Sequence, residues 1–234
     1  TEIGTVMVKD IQAGAASSNP LGLTNVGGTL FFSANRDASG DELWKSDGSE
    51  VGTALLEDVN VANTTLVEIT DVDGDAFFVQ RWPGGDSLWV SDGTPGGADL
   101  LEQGAVDQQF TRLTNVNGTL FFAFRTDIDQ PVTLWKSDGT EPGTELVKSF
   151  PGSSVGGFMN GLTNVNGTLF FAAINAFTPQ VDVELFKSDG SEVGTVLVKE
   201  IRPGNEGSFP TEMTNVNGTL FFSANDGVNG RQLW

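Results

Sequence analysis

The sequence contains no cysteine, histidine or tyrosine in 234 residues, and only 12 Lys and Arg stand against 31 Asp and Glu, a formal net charge of −19. Without cysteine there is no disulfide, so the fold must rest on its core; a chain of this length buries roughly 70–75% of the surface its unfolded form exposes. Without histidine the chain lacks the commonest general base, the Ser-His and Cys-His nucleophile pairs, and the usual ligand of zinc and copper. Hard, oxygen-seeking cations such as calcium stay open. The scarcity of basic side chains argues against nucleic acid and anionic membranes as partners, because binding to either polyanion rests on Lys and Arg. No apolar run approaches the length of a bilayer span, and no charged-then-apolar leader opens the sequence, so we expect neither membrane insertion nor a signal peptide in this stretch.

What is abundant is glycine, 30 residues, together with 17 Phe and 5 Trp. Their arrangement is periodic. The phrase Leu23-Thr24-Asn25-Val26 returns as Ile69-Thr70-Asp71-Val72, Leu113-Thr114-Asn115-Val116, Leu162-Thr163-Asn164-Val165 and Met213-Thr214-Asn215-Val216, at spacings of 46, 44, 49 and 51. A glycine turn and a double phenylalanine follow each copy: Phe31-Phe32, Phe77-Phe78, Phe121-Phe122, Phe170-Phe171 and Phe221-Phe222. Leu-Trp comes next at Trp44, Trp89, Trp135 and Trp234, with Phe186 once in its place, and then Ser-Asp-Gly at Asp47, Asp92, Asp138 and Asp189. Most aromatics are therefore scaffold.

Each period predicts four short strands. Asn117-Gly118, Asn166-Gly167 and Asn217-Gly218 are two-residue hairpin signals, matched by Gly27-Gly28 and Asp73-Gly74. The Thr-Leu-Phe-Phe strand does not alternate, which suits a strand covered on both faces. Helical periodicity is absent. Four strands in about 47 residues, repeated, with both faces apolar, is what propeller blades require, because each blade packs between two neighbours.

We therefore expect an all-β, five-bladed β-propeller in one domain, with four-stranded antiparallel blades at 20–60, 66–104, 110–150, 159–201 and at 1–11 plus 210–234. The last assignment rests on the match of residues 1–11 to 191–201, a fourth-strand phrase with no first three before it. It predicts that residues 6–11 pair with the Leu233-Trp234 strand and close the ring, removing exposed sheet edges. The runner-up is a stretch of a longer array of the same blades.

The phrase Glu-Leu-Trp-Lys-Ser-Asp-Gly-(Ser/Thr)-x-x-Gly-Thr at 42–53, and with departures at 133–144 and 184–195, resembles the ELWxxDGT repeat of large, mostly bacterial, secreted or surface proteins. The likeness covers essentially the whole chain and implies a propeller-like array in an extracellular or cell-surface protein. It implies no activity. The second copy departs most, with Ser87-Leu88-Trp89-Val90 and Gly97-Ala98. The Asp-Gly turn also resembles the Asp-box turn of other propellers.

Asp47, Asp92, Asp138 and Asp189 are expected to accept backbone N–H groups and hold their turn. Asp71-x-Asp73-x-Asp75 has the opening of a calcium loop but aligns with Asn-x-Asn-Gly-Thr elsewhere and lacks the downstream glutamate, so hairpin chemistry is the expectation. Variation concentrates in the loops between second and third strands, where the second Phe and the next aromatic stand 12, 11, 13, 15 and 12 residues apart. Variation on a rigid frame is where recognition can be placed. The ligand-binding candidates there are Arg36, Asp37, Arg81, Trp82, Arg125, Asp127, Phe177 and Asp226, a set with the rings and polar groups that a sugar site uses. Phe158 and Phe209 in the links are likewise off the template. For Trp82 the plainer expectation is a ring folded over its own blade, and for Arg36, Arg81 and Arg125 it is surface ion pairs. Asp37 with Asp41, and Asp127 with Asp129, are weak calcium candidates.

A five-bladed propeller can support a glycosidase working with two carboxylates and no histidine. Only Asp71 places an acid in the axial Thr-Asn-Val phrase, and one acid is not a pair. The expected function is a non-catalytic extracellular module for display or adhesion, a monomer or part of a larger protein, without an obligate cofactor. A glycan-binding lectin, with or without calcium, is the alternative, with glycan or a surface protein as partner.

Overall fold

The computed structural model describes residues 4–37, 40–57, 64–126, 130–151, 158–177 and 181–234, the side chains of residues 176 and 177 excepted. Packing divides the chain into two compact units, Thr1–Val106 and Asp107–Trp234. Among the described residues there is no helix, and so none long and apolar enough to cross a membrane.

The first unit carries two sheets. β1(Leu21–Val26), β2(Thr29–Ala34), β3(Glu42–Ser46) and β4(Ala54–Glu57) form the first, and β5(Thr65–Val72), β6(Asp75–Trp82), β7(Gly85–Ser91) and β8(Ala98–Gln103) the second. The second unit carries three. β9(Gln109–Val116), β10(Thr119–Arg125), β11(Val132–Ser137) and β12(Glu145–Phe150) precede β13(Met159–Val165), β14(Thr168–Phe177), β15(Val181–Ser188) and β16(Val196–Lys199). β17(Thr211–Val216), β18(Thr219–Asn225) and β19(Arg231–Leu233) complete it. Every sheet is an antiparallel meander in chain order.

The repeated phrases now have separate jobs. In Leu-Thr-Asn-Val, threonine ties a β-bulge that recurs in all five first strands. The bulge residues Gly22, Glu68, Arg112, Gly161 and Glu212 all have φ between 55° and 69°, and the threonine two places on donates its hydroxyl to each one's carbonyl at 2.8–3.3 Å. Asparagine ties the hairpin. Asn115 Oδ1 accepts from the Gly118 amide at 3.0 Å, across a turn whose Asn117 and Gly118 have φ of 50° and 81°, the left-handed pair of a two-residue hairpin. Asn164 and Asn215 add a second bond, donating Nδ2 to the carbonyls of Asn115 and Asn164 on the preceding sheets at 3.2 and 2.9 Å. Asp71 cannot donate, and accepts from the Gly27 amide at 3.4 Å instead. Valine enters the core in the first four sheets.

The core lies between sheets. The second Phe of each pair faces the aromatic of the third strand, with Phe78 stacked on Trp89 at 6.4 Å, Phe122 on Trp135 at 6.3 Å and Phe171 on Phe186 at 6.0 Å. The first Phe points to the other face. Phe31 packs with Val26 and Leu43 against Leu66, Ile69 and Phe78 of the next sheet, and Phe121 with Val116 and Leu134 against Leu169 and Phe171. Doubled Phe thus serves both faces, as the lack of alternation required.

The fifth sheet has three strands, and residues 5–10 form none. Those residues lie instead along the first sheet. Lys9 Nζ donates to the carbonyls of Glu50 and Thr53 at 3.3 and 2.8 Å, and Ile11 packs with Phe32, Ala34 and Trp44. Lys148 makes the same pair of bonds from β12 to Glu192 and Thr195, at 3.4 and 2.8 Å. Sequence likeness between residues 1–11 and 191–201 thus accompanies a shared docking mode onto the following sheet.

Candidate functional site

Each sheet has a uniform end, with its hairpin and, in the first four sheets, its Asp-Gly turn, and a variable end, with the second-to-third-strand loop. At the uniform end the turn is self-contained. Asp138 Oδ1 accepts from the amide and hydroxyl of Thr140 at 3.0 and 2.7 Å, Thr140 Oγ1 accepts from the Gly143 amide at 3.0 Å, and Ser137 and Thr144 share a hydroxyl bond at 2.8 Å. Asp47 and Asp189 repeat this network with Ser49 and Ser191, and Asp92 keeps the first part of it with Thr94. A methyl group at Gly143 would overlap the Asp138 carboxyl, which is why glycine recurs there.

These bonds, the side-chain hydroxyl first and then the amide, hold Asp47, Asp92, Asp138 and Asp189 below the ordinary carboxylate value of 3.8. A lowered folded-state pKa contributes stability that is complete above 3.8 and lost as pH falls through the lower folded values. Stability measured by denaturant titration should therefore drop below pH 3.8, and less steeply in Asp138→Asn. Equal slopes would show that the turn carboxylate adds nothing. Asp75 moves the other way, raised by desolvation and by the neighbouring negative charges of Asp92, Asp71 and Asp73.

At the variable end the candidates are held by their own loops. Arg36 pairs with Glu42 at 3.1 Å and lies 3.8 Å from Asp37, while its amide donates to Glu42 Oε2 at 3.1 Å. Asp41 accepts from Asn35 Nδ2 at 2.9 Å and from the Leu66 amide at 3.3 Å, so it ties its loop to the next sheet. Arg81 pairs with Asp86 across the β6–β7 hairpin at 3.3 Å. Arg125 donates to Gln109 Oε1 on β9 at 2.9 Å, while the acids near it in sequence lie outside the described residues. Trp82 is 37% exposed, and its ring lies over Gly84 in its own hairpin turn.

Asp226 shapes the β18–β19 loop, accepting from the amides of Asn229 and Val228 at 2.7 and 2.9 Å, which lowers its pKa. Beside it runs a groove of about 520 Å³ lined by Arg202, Pro203, Asn205, Glu206, Gly227 and Val228, with Arg202 paired to Glu206. Asp127 and Asp129 lie outside the described residues, as does the Phe177 side chain. Among the described residues no three acidic side chains gather where they would share a cation.

Sequence reasoning missed the buried glutamate of the third strand. Both carboxyl oxygens of Glu184 are occupied, Oε2 by the Ile201 amide at 3.1 Å and the Ser208 hydroxyl at 2.6 Å, Oε1 by the amides of Arg202 and Ser208 at 3.2 and 3.0 Å. It folds the link between the fourth and fifth sheets back onto β15. The signal was the Glu of Glu-Leu-Trp and Glu-Leu-Phe, a charged residue in an otherwise apolar strand. Asp182, two residues earlier, is also buried; desolvation raises its pKa although Asn175 Nδ2 donates to it at 3.0 Å.

No family model matches the chain, and no curated protein matches it. Solved structures do. A puromycin hydrolase complexed with PGG is 16% identical with a TM-score of 0.53, over 91% of this chain and 34% of that one. A prolyl endopeptidase, described for the role of inter-domain dynamics in catalysis and specificity, is 14% identical with a TM-score of 0.52, over 85% and 29%. A puromycin-hydrolyzing peptidase of Mycobacterium tuberculosis is 10% identical with a TM-score of 0.50, over 90% and 34%. The chain thus spans about a third of the length of these proteins, and at such identities the likeness is one of fold alone: an all-β series of antiparallel sheets.

Proposed function

We propose that this chain is a non-catalytic β-propeller repeat module of an extracellular or cell-surface protein, a rigid frame that displays variable loops for adhesion or ligand binding. One observation carries the reading. The same ties recur at the uniform end of sheet after sheet, whereas the loops at the other end vary in length and sequence and are still braced, as by Asp41, Asp226 and the Arg81–Asp86 pair. Bracing lowers the ordering cost of binding at a loop. The resemblance to the ELWxxDGT repeat agrees with a surface location.

A glycan is the favoured ligand class, because Trp82 keeps an exposed ring surface beside Arg81 and Asp86, a combination suited to sugar C–H faces and hydroxyls. A glycan array probed with and without EDTA tests it. The expected result is binding that Trp82→Ala weakens about tenfold or more, on the scale of an aromatic hot spot. An array silent for both proteins would leave display without glycan recognition, and signals equal in both would place the ligand away from Trp82.

A further inference from the structure

Three of the five hairpins carry the residue pair that most readily rearranges in water. Asparagine followed by glycine, at Asn117-Gly118, Asn166-Gly167 and Asn217-Gly218, puts a side-chain carboxamide next to a backbone amide that no side chain of its own shields. All three asparagines are exposed. The reaction needs only water. The glycine nitrogen loses its proton to solvent and bonds to the asparagine Cγ, the Cγ–Nδ2 bond breaks, and Nδ2 takes up a proton and leaves as ammonia. Water then opens the cyclic imide at either carbonyl, to aspartate or to an isoaspartate whose main chain runs through the side chain.

The fold occupies that glycine nitrogen. The amides of Gly118, Gly167 and Gly218 donate to Oδ1 of Asn115, Asn164 and Asn215 at 3.0, 2.9 and 2.9 Å, in turns where asparagine holds φ of 50–51° and glycine 81–82°. An N–H engaged as a donor keeps its proton, and its nitrogen is not free to attack. The acceptor need not be an amide: Asp71 Oδ1 holds the Gly74 amide in the second sheet at 2.9 Å. A further restraint acts on one of the carboxamides. Asn166 Nδ2 donates to the Gly218 carbonyl on the following hairpin at 3.3 Å, whereas Asn117 makes no side-chain hydrogen bond among the described residues.

We propose that Asn117, Asn166 and Asn217 are sites of spontaneous deamidation, and that the asparagine two places before each one holds the reaction in check by occupying the amide that would attack. The tie that shapes the hairpin is thus also its chemical guard. The two products differ in consequence. Aspartate reproduces the Asp73-Gly74 turn that the second sheet already has, whereas isoaspartate adds a methylene to the main chain of a two-residue turn and displaces the register that the turn sets. With its carboxamide unheld, Asn117 converts ahead of Asn166.

Folded protein and protein in urea, incubated in mildly alkaline buffer and followed by peptide mass mapping with isoaspartate detection, give the first comparison. Asn117 should convert more slowly in the folded chain than in urea, and Asn166 more slowly still. Asn115→Ala removes the acceptor, and conversion at Asn117 should rise about two- to tenfold, the factor that the net strength of one hydrogen bond corresponds to, with Asn166 unchanged as the internal standard. Asn115→Asp keeps an acceptor oxygen, as Asp71 does, and should stay near the wild-type rate, which separates the bond from a general loosening of the hairpin. Circular dichroism should show both variants folded. A wild-type chain that converts at Asn117 as fast folded as in urea overturns the proposal. So does Asn115→Ala converting no faster than wild type, or Asn115→Asp converting as fast as Asn115→Ala.

Discussion

Phe121→Ala is expected to destabilise the unit Asp107–Trp234 by about 3–5 kcal/mol, while Phe221→Ala, at the same place in the repeat, costs about 1 kcal/mol in dilute protein. The difference is packing. Phe121 is 4% exposed and sits among Val116, Leu134, Leu169 and Phe171, so truncation loses apolar burial and leaves a cavity that a close-packed core fills only in part. Phe221 already faces water, and its removal opens no cavity. Urea titrations of both variants, compared by midpoint at constant slope, measure this directly. Equal losses would mean that the repeat position, and not the neighbouring sheet, sets the energy of the double phenylalanine.

Glu184→Gln should cost about 2–3 kcal/mol and Glu184→Leu more, although both keep the side chain close to its original size. Glutamine replaces one acceptor oxygen with an N–H₂ donor that must face the donors of Ile201, Ser208 or Arg202. Leucine leaves all of them without that acceptor, and a buried unsatisfied donor costs about 1–3 kcal/mol. The loss should be local before it is global. Amide exchange at Ile201 and Ser208 is expected to accelerate in Glu184→Gln while the hairpin amides of Gly118 and Gly167, tied by Asn115 and Asn164, keep wild-type protection. Unchanged exchange at Ile201 and Ser208 would remove Glu184 from its role in the link.

Asp138 and Arg81 mark the boundary of what was legible. Asp138 was read correctly as a turn residue because its partner Thr140, and the Gly143 amide that Thr140 accepts from, lie within five residues and recur in the motif. Arg36 and Arg81 found the acids expected for them, Glu42 and Asp86, again a few residues away. Among the described residues Arg125 donates to Gln109, brought beside it by the β9–β10 pairing, and a register with a bulge inside it is not written in spacing alone.

The amino-acid sequence by itself determined the strands, their order within each sheet, the turn chemistry and the doubled aromatic core, because each of these follows from contacts inside one period of about 47 residues that is written five times. Tertiary structure decided the rest. Only packing made Phe31 buried and Phe221 exposed from identical local phrases, turned Glu184 into the clasp of a distant link, and laid residues 5–10 along the first sheet. Local propensity is the same in every copy, whereas burial and strand pairing depend on which surface arrives alongside.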